Sequence, residues 1–152
     1  MPHQGYYYEE LLPGRRFETD RRTVTETDQV NFSTAFGFFE PLFMDRSYVA
    51  EHTPYGRPIV PGALTFAVAE GLTILSGLLH TTGMAFLGVE MNVLKPVFIG
   101  DTLGVRIDVV DRRETRKADR GIVSFRHQVE NQDGAVVMDY TVKRMMRRKP
   151  SS

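Results

Sequence analysis

Residues Gly56–Leu79 read GRPIVPGALTFAVAEGLTILSGLL, and the second part of this stretch has the pattern of a helix. Leu64, Phe66, Ala67, Val68, Leu72, Leu75, Leu78 and Leu79 set apolar side chains nearly all the way round it, the mark of a buried helix. Pro61 suits the first turn, where a missing N–H is no loss. From Pro61 to Leu79 such a helix runs roughly 28 Å at 1.5 Å per residue, about the width of a small domain. A membrane span fits poorly, because Glu70, Thr65, Thr73, Ser76 and several glycines interrupt the run. No other segment is as apolar, so this helix is expected to form the core.

The chain of 152 residues is expected to be one domain, with residues 1–10 and 147–152 as irregular termini. Lysine plus arginine equals aspartate plus glutamate at 19 each, so the net charge is zero. No global field draws in nucleic acid or an acidic membrane, and neither is expected as a partner. The basic run Lys143–Lys149 reads as a solvated strand end. Near-neutrality also favours a defined oligomer. With no cysteine in the sequence, disulfides, thiolate nucleophiles and Cys-based zinc sites are excluded. His3, His52, His80 and His127 show no metal-ligand spacing, so no metal is expected. MPHQGYYYEE lacks the basic start and apolar centre of a signal peptide, and a cytoplasmic protein is expected.

Ahead of the core helix, Phe17–Val24 reads as a short polar strand. Thr25 caps a helix with Asp28 three residues on. That helix is expected to bury Val30, Phe32 or Ser33, and Phe36, and to stop at Gly37. Pro41 breaks the next stretch, and Asp45 caps a short helix over 46–52. Beyond Thr81-Thr82-Gly83 the period changes to two. Residues 85–94 alternate as a strand expected to be buried on one face and partly on the other. Three more alternating runs follow, at 103–110, 122–129 and 135–145, the last two joined by a turn at Gln132-Asp133-Gly134. Helices first and long antiparallel strands afterwards make an α+β protein. The apolar helix is satisfied only if the sheet curls round it, which is the hotdog fold.

Residues 37–69 resemble the MaoC-like dehydratase family, the R-specific enoyl-CoA hydratases. The family motif runs Gly-Asp-x-Asn-Pro-hydrophobic-His-x-Asp, followed by a short helix and an aliphatic pair with His-Gly opening the central helix. Gly37, Pro41, Leu42, Asp45, Tyr48-Val49-Ala50, Ile59-Val60 and Gly62 fall in register with it, and Leu94–Leu103 resembles the family's later strand–loop–strand. The resemblance implies reversible addition of water to a 2-enoyl thioester of CoA or acyl carrier protein. It implies no cofactor, and a homodimer or an oligomer of dimers. Yet the motif's Asp and His positions hold Phe38 and Phe43, its Asn is Glu40, and the His before the central helix is Pro61. Phenylalanine moves no proton, so the familiar acid–base pair is missing.

The remaining candidates are few. Glu40, between the two phenylalanines, is expected in an apolar surround that raises its pKa towards acid–base work. His52, expected in the loop before Tyr55-Gly56-Arg57, is a candidate for swinging towards a ligand. Glu70, a carboxylate inside the apolar helix, is a candidate for attack on a thioester, as on the same helix of hotdog thioesterases, or for a structural pair with Arg57 or a partner subunit. Gly62 keeps the helix-opening amide that the family uses to hold the thioester carbonyl. Phe38, Phe43, Pro61 and Arg57 complete the expected substrate-binding set. Three readings follow: a hydratase run by substitute residues, a silent thioester-binding or partner-supporting subunit, and a thioesterase.

Overall fold

The computed structural model describes residues 4–151. Six antiparallel strands form its sheet: β1 (Arg16–Glu18), β2 (Arg22–Thr23), β3 (Gly83–Val93), β4 (Thr102–Glu114), β5 (Arg120–Glu130) and β6 (Val136–Arg147). The order across the sheet is β1-β4-β5-β6-β3, with β2 also paired to β4. Four helices precede the long strands: α1 (Glu26–Phe36), α2 (Pro41–Met44), α3 (Arg46–His52) and α4 (Gly62–Leu75). Alternation decides the sheet's two faces. Leu103, Val105, Ile107 and Val109 of β4 are buried, as are Val123, Phe125 and Val129 of β5 and Tyr140, Val142 and Met146 of β6. Register shifts in the β3–β6, β4–β5 and β5–β6 pairings bend the strands.

Helix α4 lies on that face. It sends Leu64, Val68, Ala69 and Leu72 into the core, sets Phe66 against Tyr140 of β6 and Phe86 of β3, and packs on β4. The helix is shorter than the sequence suggests, 14 residues or about 21 Å. It stops at Leu75 because the chain turns through Gly77 at φ 81°, and Leu78 reaches the core from the turn beyond. Nor is it buried all round. Ile74 and Leu75 are 65% and 80% exposed.

Local signals set the earlier helices. The Thr25 hydroxyl accepts from the Asp28 N–H at 3.1 Å while the Thr25 N–H donates to the Asp28 carboxylate at 2.9 Å, a complete capping box for α1. Gly37 closes α1 at φ 78°. Asp45 caps α3 by accepting from the Tyr48 N–H. The buried face of α1 differs from expectation: Gln29 and Ser33 are buried and Phe32 is half-buried, whereas Val30 and Phe36 are exposed.

Two further expectations need correction. Residues 1–10 are not wholly irregular. Tyr8–Glu10 form a 3-10 turn, Tyr8 joins the core, and the Gly5 N–H bonds the His80 carbonyl. A Cβ at Gly5 would stand 2.6 Å from the His80 backbone, which explains the glycine there. Residues 1–3 and 152 lie outside the described residues. The second correction concerns β3. Phe86, Leu87, Val89, Met91 and Val93 are all exposed, because β3 is an edge strand with β6 on one side and, among the described residues, no strand on the other. Among the described residues no helix is long and apolar enough to cross a membrane.

Candidate functional site

The loop that leaves α1 carries four aromatic rings within eight residues. Phe32 meets its neighbours at a tilt, with centroids 5.2 Å from Phe36 and 4.8 Å from Phe38, and Phe38 lies 6.3 Å from Phe43. Phe36, Phe38, Phe39, Phe43, Gly37 and Glu40 line an open pocket of about 440 Å³. Glu40 precedes α2 as its N-cap and is exposed. The apolar enclosure expected round this carboxylate is absent, since Phe36 and Phe39 themselves stand 70% and 60% exposed. His52 ends α3 on the surface, stacked on Tyr48 at 4.8 Å, with Nδ1 3.2 Å from the Tyr48 carbonyl oxygen. It is not brought to Glu40 by any contact. Arg57 lies with its guanidinium 4.2 Å over the ring of Phe98 and, with Arg46, Gly56, Pro58 and Ile99, lines a second cavity of about 260 Å³.

Gly62 opens α4 behind Pro61, whose carbonyl accepts from the N–H groups of Leu64 and Thr65. The Gly62 N–H has no helical acceptor, as at every helix start. A Cβ at Gly62 would lie 3.6 Å from the Val93 side chain, so the helix start faces the end of β3.

Gln29 is a residue that sequence reasoning missed. Its side-chain amide, fully buried on α1, donates to the Phe43 carbonyl at 3.2 Å and the Ile59 carbonyl at 3.3 Å. One side chain thus ties the aromatic loop to the segment that enters α4. Its position five residues after the Thr23–Val24 pair gives no hint of this role. The signal available was a glutamine at a helical position four residues before Ser33, a polar pair where a core face ought to be apolar.

Glu70 is not paired with Arg57. Its carboxylate accepts from the Tyr140 hydroxyl at 2.8 Å and from Arg144, which reaches both oxygens at 2.7 Å. Such a charge-assisted pair satisfies a carboxylate that a helix carries against a sheet. Burial, and then the Glu70 carboxylate beside it, push the Tyr140 phenol well above its ordinary range. His127 of β5 stacks on Tyr140, with centroids 4.4 Å apart, and its Nδ1 is 4.0 Å from Glu70. Burial first, and Arg144 second, lower the His127 pKa to about 3. Both ring nitrogens are buried without a hydrogen-bond partner. Among the described residues no three His, Asp or Glu side chains group as metal ligands.

The family model described as "MaoC like domain" matches residues 10–131. The chain belongs to the MaoC-like domain family. This MaoC-like chain is 32% identical over 100 residues to the (R)-specific enoyl-CoA hydratase of Aeromonas caviae, covering 66% of its own length and 69% of that protein. It spans about a third of the length of protein MaoC of Klebsiella aerogenes, to which it is 36% identical over 115 residues, 75% of its own length. Among solved structures, the MaoC-like dehydratase of Rhodospirillum rubrum superposes with a TM-score of 0.87 at 30% identity, covering 97% of this chain and 100% of that one. A double-hotdog protein of Mycobacterium tuberculosis, 23% identical, shares the fold with a TM-score of 0.86 over 97% of this chain and 46% of its own. The fold is the hotdog fold, and the family is one of hydratases and dehydratases.

Two measurements check this geometry. Gln29→Leu strips two carbonyls of their buried donor, and urea unfolding is expected to show a loss of about 1–3 kcal/mol. The His127 shift has a definite sign. As pH falls below the unfolded value of 6.5, the unfolded chain takes up a proton that the folded chain refuses until about pH 3, so stability is lost with acid across that window. His127→Phe is therefore expected to lose about 2 kcal/mol less than the parent between pH 7 and pH 5.

Proposed function

We propose that this chain binds acyl thioesters of CoA or of an acyl carrier protein at the start of α4, and lacks in its own loop the acid–base pair that adds water to an enoyl group. The observation that carries this reading is the pair Phe38 and Phe43, whose ring centroids lie 6.3 Å apart where the resemblance places Asp and His. Neither ring takes or gives a proton. The thioester cradle is retained. A Gly62 N–H at the positive end of α4, on a residue with no side chain of its own, suits a carbonyl oxygen that gathers negative charge. Pro61, directly before Gly62, then borders the acyl group. Arg57, in the cavity it shares with Arg46, supplies positive charge for the carrier's phosphates.

A chain of this kind acts as the substrate-holding half of a hotdog pair, in a cytoplasmic setting. Strand β3 supports the pairing. It is eleven residues long, has no strand on its outer side among the described residues, and exposes Phe86, Leu87, Val89, Met91 and Val93. A long apolar edge invites another strand. A second copy, or a competent relative, continued antiparallel at β3 covers it and places a second surface opposite Gly62 and Val93.

One observation favours a second reading. Glu40 is the single ionisable side chain lining the aromatic pocket, and hydration run by this chain alone rests on it. Hydrolysis through Glu70 has less support, because Arg144 and Tyr140 already occupy its carboxylate.

Crotonyl-CoA separates these readings. Calorimetric titration of the purified protein is expected to show binding, while the enoyl-thioester absorbance stays constant at high protein concentration. Loss of that absorbance, abolished by Glu40→Gln, replaces the proposal with the second reading. Release of free CoA, abolished by Glu70→Gln, replaces it with hydrolysis. Absence of binding overturns the thioester cradle itself.

A further inference from the structure

The aromatic pocket has a composition that an acyl chain does not explain. Of its six lining residues four are phenylalanines, one is Gly37 and one is Glu40; no aliphatic side chain and no cation lines it. Three of the rings, Phe36, Phe38 and Phe43, have ring neighbours. Phe32 packs against Phe36 and Phe38 at 5.2 and 4.8 Å, with interplanar angles of 58° and 52°, and Phe38 meets Phe43 at 48°. Gln29 anchors the Phe43 backbone to α1 from the buried side. Glu40 is exposed at the same pocket and, among the described residues, forms no ion pair. The volume of about 440 Å³ lies in the range of small-molecule sites, ~300–1,000 Å³.

Ring faces carry negative potential, and several of them beside a carboxylate attract a cation whose charge is spread over methyl groups. An anion meets Glu40 and no compensating donor. A neutral alkyl chain gains from the rings but nothing from the carboxylate. We propose that this pocket is a binding site for an alkylated ammonium group, of the quaternary type found in choline-like molecules, with Phe36, Phe38, Phe39 and Phe43 as the cage and Glu40 as the counter-charge. The same replacements that remove an acid and a base from the loop complete the cage, so the two changes are one piece of chemistry. The proposal needs only the rings and the carboxylate. It stands apart from the thioester reading, which concerns the start of α4.

Choline and 3,3-dimethylbutan-1-ol have the same shape and differ in charge, which makes them the probes. Proton-detected ligand NMR titrations of the full chain at low salt, with parent, Glu40→Gln and Phe39→Leu proteins, measure both affinities directly. Phe39 is 60% exposed and Glu40 is on the surface, so both variants are expected to fold, and their amide spectra verify it. The expected result is millimolar binding of choline, at least about fivefold tighter than of the alcohol, with the difference removed by Glu40→Gln and choline binding weakened by Phe39→Leu. Equal affinity for the two probes, binding of the alcohol alone, insensitivity to both substitutions, or no binding of choline overturns the proposal. Because the readout is binding of a ligand that carries no thioester, each of these results leaves the crotonyl-CoA outcome independent.

Discussion

Helix α4 lies in one orientation on the sheet because it carries a carboxylate into a largely apolar surface. Glu70 sits between Leu64-Val68 and Leu72 on the core side, and is satisfied only where Tyr140 and Arg144 of β6 meet it. A rotation of the helix by one residue would bury a charge with no partner, at a cost of several kcal/mol. Apolar contact alone would tolerate such a slip; the carboxylate does not. Phe66 against Tyr140, and Tyr140 against His127, extend the same fixed contact across three elements.

From that fixed helix the rest of the site is placed in order. The first residue of α4 faces the end of β3, and the segment entering it is held by Gln29, which also holds the aromatic loop. Loop, helix start and sheet edge are thereby parts of one rigid arrangement, although they are far apart in the chain. On the proposed function, the helix start that would hold a thioester is kept while the two positions of the proton-moving groups carry rings.

Much of this was legible in the residues. Thr25 with Asp28, Asp45 before α3 and Gly37 after α1 act over a few residues, and the structure has each as expected. The alternating runs became β3 to β6, and the apolar helix became the core. What the sequence did not disclose depends on distance or on an absent neighbour. The partners of Glu70 lie 70 and 74 residues away, and nothing local distinguishes Arg144 from Arg57 as its counter-ion. The inward turn of Gln29 answers to carbonyls at Phe43 and Ile59, so the face of α1 could not be read from α1 alone. Strand β3 reads as half-buried from its alternation alone, whereas Phe86, Leu87, Val89, Met91 and Val93 are exposed in this chain.

The direct measurement of the central claim is restoration of the missing pair. Phe38→Asp combined with Phe43→His puts an acid and a base back at the two positions of the loop and leaves the Gly62 amide unchanged. In a crotonyl-CoA hydration assay the expected result is that the doubly substituted, folded protein gains turnover where the parent has none. A doubly substituted protein that folds and binds crotonyl-CoA, yet remains without hydration activity, would contradict the claim that proton transfer is all the parent loop lacks.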